Sequence, residues 1–174
     1  MRGIKDLTVI AIFSSILFAQ EQLLTFLPNV QLTVFLLVLY SKVFGFTRTS
    51  VIIIIHVLLD NLLMGSFNVM YVPFMLIGWW IIPLVTCTLL KKVNNSFILA
   101  GAGIVFALIY SWCFIIPNVL FLKVSWISYF YADILWEVIL ALSSFITILW
   151  LYKPCVKLLN KLKLSGSVKN SSDD

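Results

Sequence analysis

The sequence predicts an all-α integral membrane protein, a bundle of six transmembrane helices with both termini in the cytoplasm. Three observations carry that prediction. Of the 174 residues, 62% are hydrophobic and 11% are charged, with a mean hydropathy of +1.10. A soluble domain is only about half apolar and about a quarter charged. The apolar residues gather into six long blocks separated by short polar connections. At about 20 residues per helical span, the chain holds roughly six spans and no separate soluble domain. Finally, the charges are sorted by side, which sets the orientation.

The spans follow in order. Span 1 covers about 7–27 and closes at Pro28-Asn29, a turn signal. Arg2 and Lys5 precede it as they would a signal peptide, but the run is long enough to cross and lacks a small-residue cleavage site before Gln20-Glu21-Gln22. It is therefore a retained span. Span 2 covers about 31–45 and ends at Gly45, and span 3 covers about 49–64 and ends at Gly65-Ser66. Span 4 covers about 70–90, with Pro73, Gly78 and Pro83 inside it, and Lys91-Lys92-Val93-Asn94-Asn95 breaks the chain after it. Span 5 covers about 96–122 with Pro117 near its end, and span 6 covers about 127–152, where Lys153-Pro154 stops it. The Ser, Asn and Asp-rich tail, about 164–174, reads as disordered. Long apolar runs without strict alternation favour helices over a transmembrane barrel.

Basic residues occupy the two tails and alternate connections: Arg2 and Lys5, then Lys42 and Arg48, then Lys91 and Lys92, then Lys153, Lys157, Lys161, Lys163 and Lys169. The intervening connections hold only Lys123. Cytoplasmic loops carry the excess of Lys and Arg, so both termini are expected inside, which requires an even number of spans, and six satisfies it. Lys153, Lys157 and Lys161, four apart, fit either a short interfacial helix on anionic lipid or simple topology-setting charge.

Composition and motifs also exclude. The net charge of +5 sits at span ends, so it speaks for lipid and topology and against nucleic acid. Cys87, Cys113 and Cys155 form no CxxC and no metal spacing with the single His56, and they suit apolar filling. No phosphate-binding loop, nucleophile elbow or zinc-protease motif occurs. The chain reads as a non-enzyme that needs no metal or cofactor. It shows no inverted repeat of the secondary-transporter kind, so any energy source for transport lies on another chain.

Several polar constellations interrupt the apolar blocks. In span 1, Ala11, Ser15 and Ala19 stand four apart and form one ridge of small side chains. Such a ridge admits a closely packed helix, either a partner's or another helix of this bundle. In span 3, His56 and Asp60 share a face, with Asn61 beside them, and fit either a proton relay or a hydrogen bond that closes the bundle. In span 6, Asp133 and Glu137 share a face, with Tyr129 one turn earlier and Trp136 alongside. Two ionised carboxylates so placed repel, which is relieved by a shared proton, by Lys123, or by a positive group on a ligand. A plain polar cap at a helix start is the competing account. Ionisable groups within a bilayer are expensive and mark function by default. Glu21, Asp60, Asp133 and Glu137 all lie toward the outer side, where the connections add Asn29, Gln31, Asn68, Tyr71 and Asn118. Acids, amides and aromatics at one mouth of an apolar bundle describe a pocket for a small polar molecule.

With these features in place, the chain resembles the substrate-binding S components of energy-coupling factor (ECF) vitamin transporters. The likeness covers about 1–163 and rests on size, six spans, both ends inside and polar residues gathered outside. It also rests on the span 1 ridge, where the family uses an AxxxA-type motif. Here that motif reads Ala11-Ile12-Phe13-Ser14-Ser15, followed by Ala19, with Ser at the second small position. The segment Leu27-Pro28-Asn29-Val30-Gln31-Leu32 is similar to that of uncharacterised members.

The resemblance implies a multi-pass protein of a bacterial cell membrane that captures a vitamin or precursor from outside. It further implies that the span 1 face docks on a membrane coupling subunit, and that two cytoplasmic ATPases drive the inward step. Family ligand contacts come largely from spans 4–6 and the outer loops. That favours Tyr71, Asn118, Asp133, Trp136 and Glu137, with Asn29, Gln31 and Asn68 from loops, and Lys123 on the same side is a further pocket candidate. Glu21 and Asp60 serve either ligand or scaffold. The ligand stays open: an acid-rich mouth hints at a cationic or amine-bearing compound, whereas Lys123 suits an anionic group instead. The alternative is a self-sufficient proton-coupled transporter with His56, Asp60, Asp133 and Glu137 as its relay.

Overall fold

The computed structural model describes residues 3–63 and 69–169, and within them every regular element is a helix. The six apolar blocks give seven helices: α1 (Ile4–Leu23), α2 (Thr33–Phe44), α3 (Phe46–Leu63), α4 (Val72–Cys87), α5 (Ser96–Cys113), α6 (Ile115–Leu122) and α7 (Trp126–Lys169). The extra helix arises where block 5 divides at Phe114, which caps both α5 and α6. Pro117 lacks an N–H, and its ring crowds the carbonyl four residues back, that of Cys113, so the break falls there.

Four segments are long and apolar enough to cross a membrane: Asp6–Leu23, Phe46–Leu63, Ser96–Leu122 and Trp126–Lys161. The other two are shorter than the sequence leads one to expect. α4 has 16 residues rather than about 21, because the chain turns after Cys87. α2 has 12 residues, a length of about 18 Å against a hydrocarbon layer of about 30 Å. Nearly every residue of α2 is buried, and it packs against α1, α3, α4, α5 and α7. It is the central post of the bundle, and protein groups meet its ends. At its C-terminal end the Lys42 ammonium donates to the carbonyls of Leu90, Lys91 and Val93, in the turn that follows α4. Gly45 alone joins α2 to α3; its φ of 81° is a left-handed conformation that glycine adopts without steric penalty.

α7 also departs from expectation. It does not stop at Lys153-Pro154 but continues to Lys169, taking in the first residues of the polar tail. A proline removes one helical hydrogen bond and crowds one carbonyl. Here packing on both sides of it absorbs that cost, since Tyr152 is buried and Cys155, Val156 and Leu159 lie against the core.

Close approach of two helices depends on small residues at the contact. Gly103 lets α5 meet Ser144 and Ile148 of α7, the most extensive pairing in the bundle. Gly78 lets α4 meet Tyr110 of α5, where Trp79, fully buried, stacks on the Tyr110 ring at 3.6 Å between centroids.

The hydrogen bonds also fix which ends lie together. Arg48 at the start of α3 donates to Asp6 at the start of α1 across 2.7 Å. Lys42 ties the end of α2 to the turn after α4. α5 and α7 run antiparallel, since Ser111 meets Asp133 while Gly103 meets Ser144 and Ile148. The basic connections and both ends of the bundle therefore share one end, with Asp6 among them, and Glu21, Asp60, Asp133 and Glu137 lie toward the other.

Candidate functional site

At the acid-bearing end, the connection from α1 to α2 folds over the bundle and is held by side chains. Gln20, 8% exposed near the end of α1, donates from Nε2 to Thr33 Oγ1 (2.8 Å) and to the Leu17 carbonyl (3.0 Å), and its Oε1 accepts from the Leu32 N–H (2.9 Å). Thr33 Oγ1 in turn donates to Gln31 Oε1 (2.9 Å). From the other side, Ser143 of α7 accepts from the Gln31 N–H (3.3 Å) and donates to the Gln31 carbonyl (3.1 Å). Asn29 has a φ of 58°, a left-handed turn position that Asn tolerates better than most residues. The loop is thereby fixed at both margins.

Two open cavities flank this loop and share Asn29 and Gln31 as lining residues. The first, of about 260 Å³, is lined also by Glu21, Gln22 and Asp60. The second, of about 240 Å³, is lined by Tyr110, Ser111 and Phe114 of the α5–α6 segment and by Tyr129, Asp133 and Leu140 of α7. Among the described residues, neither cavity has a Lys, Arg or His in its lining.

The structure redistributes the residues singled out from the sequence. His56 does not pair with Asp60 four residues on; its Nε2 lies 3.2 Å from Glu21 Oε2 on α1. Helical spacing put His56 and Asp60 on one face, but only Asp60 reaches the first cavity, while His56 is 1% exposed against α1. Asp133 and Glu137 also divide. Asp133 lines the second cavity and accepts from Ser111 Oγ at 2.9 Å. Glu137, 4% exposed, sits behind the lining, and its Oε1 lacks a hydrogen-bond partner.

Lys123 is not the cation between these acids. It occupies a left-handed turn after α6 and is exposed, and among the described residues no ion pair joins it to either carboxylate. Trp136 faces outward and lines neither cavity. Tyr71 donates to Asn118 Oδ1 (3.1 Å) and stacks on Phe114 at 6.0 Å, so the pair braces the second cavity from behind. Asn68 lies outside the described residues. Ala11, Ser15 and Ala19 are all exposed on α1, so the ridge is not spent on a contact inside the bundle.

Sequence spacing passed over Tyr110, Ser111 and Phe114, because they sit within an apolar block that reads as uniform core. Their signal was the run Tyr110-Ser111-Trp112-Cys113, the least aliphatic part of that block. Gln20 was equally legible, as a buried amide in the Gln20-Glu21-Gln22 run, but its role as clasp needed the fold.

No family model, curated protein or solved structure matches the chain.

Proposed function

We propose that this chain is the ligand-binding subunit of an ECF-type importer for a vitamin or related micronutrient. It takes the compound up from outside and passes it inward with a membrane coupling subunit and two ATPases. The observation that carries this is the pair of open cavities at the end opposite the basic connections, lined by acids, amides and aromatics and divided by one clasped loop. Polar groups that converge on a concave site fix a small molecule's orientation and give it specificity. The outer location of the cavities follows from the positive-inside rule. The exposed Ala11–Ser15–Ala19 ridge leaves a face of α1 open to a closely packed partner helix.

Native mass spectrometry of the purified chain tests the assignment. The expected result is a co-purifying small molecule, together with no uptake by the chain alone in liposomes and uptake once the coupling subunit and ATPases are added. Uptake by the chain alone, driven by a pH gradient, would replace this function with the proton-coupled one. A cysteine at Tyr131 that is labelled only from inside the cell would overturn the orientation.

A further inference from the structure

We infer that the cavity between α5 and α7 is a site for a small planar cation, a ring bearing a quaternary or protonated nitrogen. This deepens the importer function proposed above and rests on it. Three aromatic rings, those of Tyr110, Phe114 and Tyr129, line this cavity together with the carboxylate of Asp133. Ring faces carry negative potential and attract cations within about 6 Å. A carboxylate at the same wall supplies the full opposite charge. Among the described residues no Lys, Arg or His lines the cavity, so the described lining has no cation of its own to satisfy Asp133. Ser111 occupies Oδ2 of Asp133 and fixes the carboxylate without neutralising it.

The wall is also preorganised. Tyr110 is stacked on the buried Trp79 at 3.6 Å and meets Phe114 edge-on at 5.1 Å, so its ring does not have to be ordered when a ligand arrives. A volume of about 240 Å³ lies below the usual range of about 300–1,000 Å³ for drug-sized pockets, which suits a single ring system and not a macrocycle. The neighbouring cavity differs in kind: it has two carboxylates and no aromatic lining residue.

The test uses the full chain in lipid nanodiscs, freed of co-purifying ligand, and isothermal titration with three single-ring probes of similar size: N-methylpyridinium, benzyl alcohol and benzoate. The expected result is binding of the cation alone. Asp133→Asn is expected to weaken it by at least about tenfold. Tyr129→Leu is expected to weaken it by about 3-fold to 30-fold, and more than Tyr129→Phe, which keeps the ring. Equal or tighter binding of benzoate overturns the inference, as does failure of the cation to bind or equal affinity in Tyr129→Leu. Cation binding by a chain that transports unaided would leave the site standing and remove the importer function. Preference for benzoate in a chain that still needs its partners would do the reverse.

Discussion

His56 Nε2 lies 3.2 Å from Glu21 Oε2, and this contact ties α3 to α1 directly beneath the first cavity. His56 is almost wholly buried, and its other ring nitrogen has no partner. Truncating a large buried side chain leaves a cavity, typically at a cost of about 2–5 kcal/mol. His56→Ala is therefore expected to destabilise the bundle by that order. Glu21→Gln, which keeps the shape, should cost less. A double-mutant cycle read by thermal unfolding in detergent should give a coupling of about 0.5–3 kcal/mol. Additivity within about 0.5 kcal/mol would remove the pair as an α1–α3 tie.

Local spacing explains both what the sequence disclosed and what it hid here. Helical class, block order and the sorting of Lys and Arg depend on composition and short-range pattern, and these appear in the fold as helices with their basic ends together. His56 and Asp60 share a face by the same logic, yet the partner of His56 is Glu21, 35 positions earlier in the chain, and no periodicity encodes that choice. The shortness of α2 was hidden for a related reason. A run such as Phe35-Leu36-Leu37-Val38-Leu39 reads alike whether it faces lipid or protein, and only the surrounding helices decide. Proline carried two opposite outcomes. Pro117 broke its helix near Cys113, whereas Pro154 sits inside α7, where packed neighbours hold the helix together.

Gln20 is the clasp of the loop between the cavities. Gln20→Ala removes the acceptor of the Leu32 N–H and the donor to Thr33. A buried backbone group left unsatisfied costs about 1–3 kcal/mol. The expected outcome is a loss of that size in stability, with faster amide exchange at Val30, Gln31 and Leu32. Ser143→Ala should loosen the same loop from the α7 side while leaving Leu32 protected. Unchanged exchange in Gln20→Ala would mean that the loop is held by other contacts.

Gly78 and Gly103 both mark close helix approaches, but they should respond differently to alanine. At Gly78 an added Cβ would lie 2.8 Å from Tyr110 Cδ2, part of a ring locked against Trp79. At Gly103 it would meet the Cδ1 of Ile148 at 2.5 Å, the far end of a side chain that rotates away. Gly78→Ala should therefore cost about 1–3 kcal/mol, shift the near-ultraviolet dichroism of the Trp79–Tyr110 stack, and weaken ligand binding in the second cavity. Gly103→Ala should cost less than Gly78→Ala and leave binding intact. The opposite order would show that Ile148 is the more rigid neighbour.

Ser14 and Ser15 are adjacent on α1 but differ in surroundings: Ser14 is 1% exposed inside the bundle, whereas Ser15 stands on the exposed ridge with its hydroxyl turned back to the Ala11 carbonyl at 2.9 Å. Tryptophan at the two positions separates folding from docking. Ser14→Trp forces a large ring into a packed interior, where overpacking costs about 1–3 kcal/mol or more, so it should lower the melting temperature sharply. Ser15→Trp adds bulk outside the bundle, where surface changes usually stay within about 0.5 kcal/mol, so melting and ligand affinity should hold. A small-residue ridge admits a neighbouring helix only while it stays small, so the same variant should fail to co-purify with the proposed coupling subunit. If Ser15→Trp still assembles into an active importer, α1 docks through another face, and Ala11, Ser15 and Ala19 are simply lipid-facing.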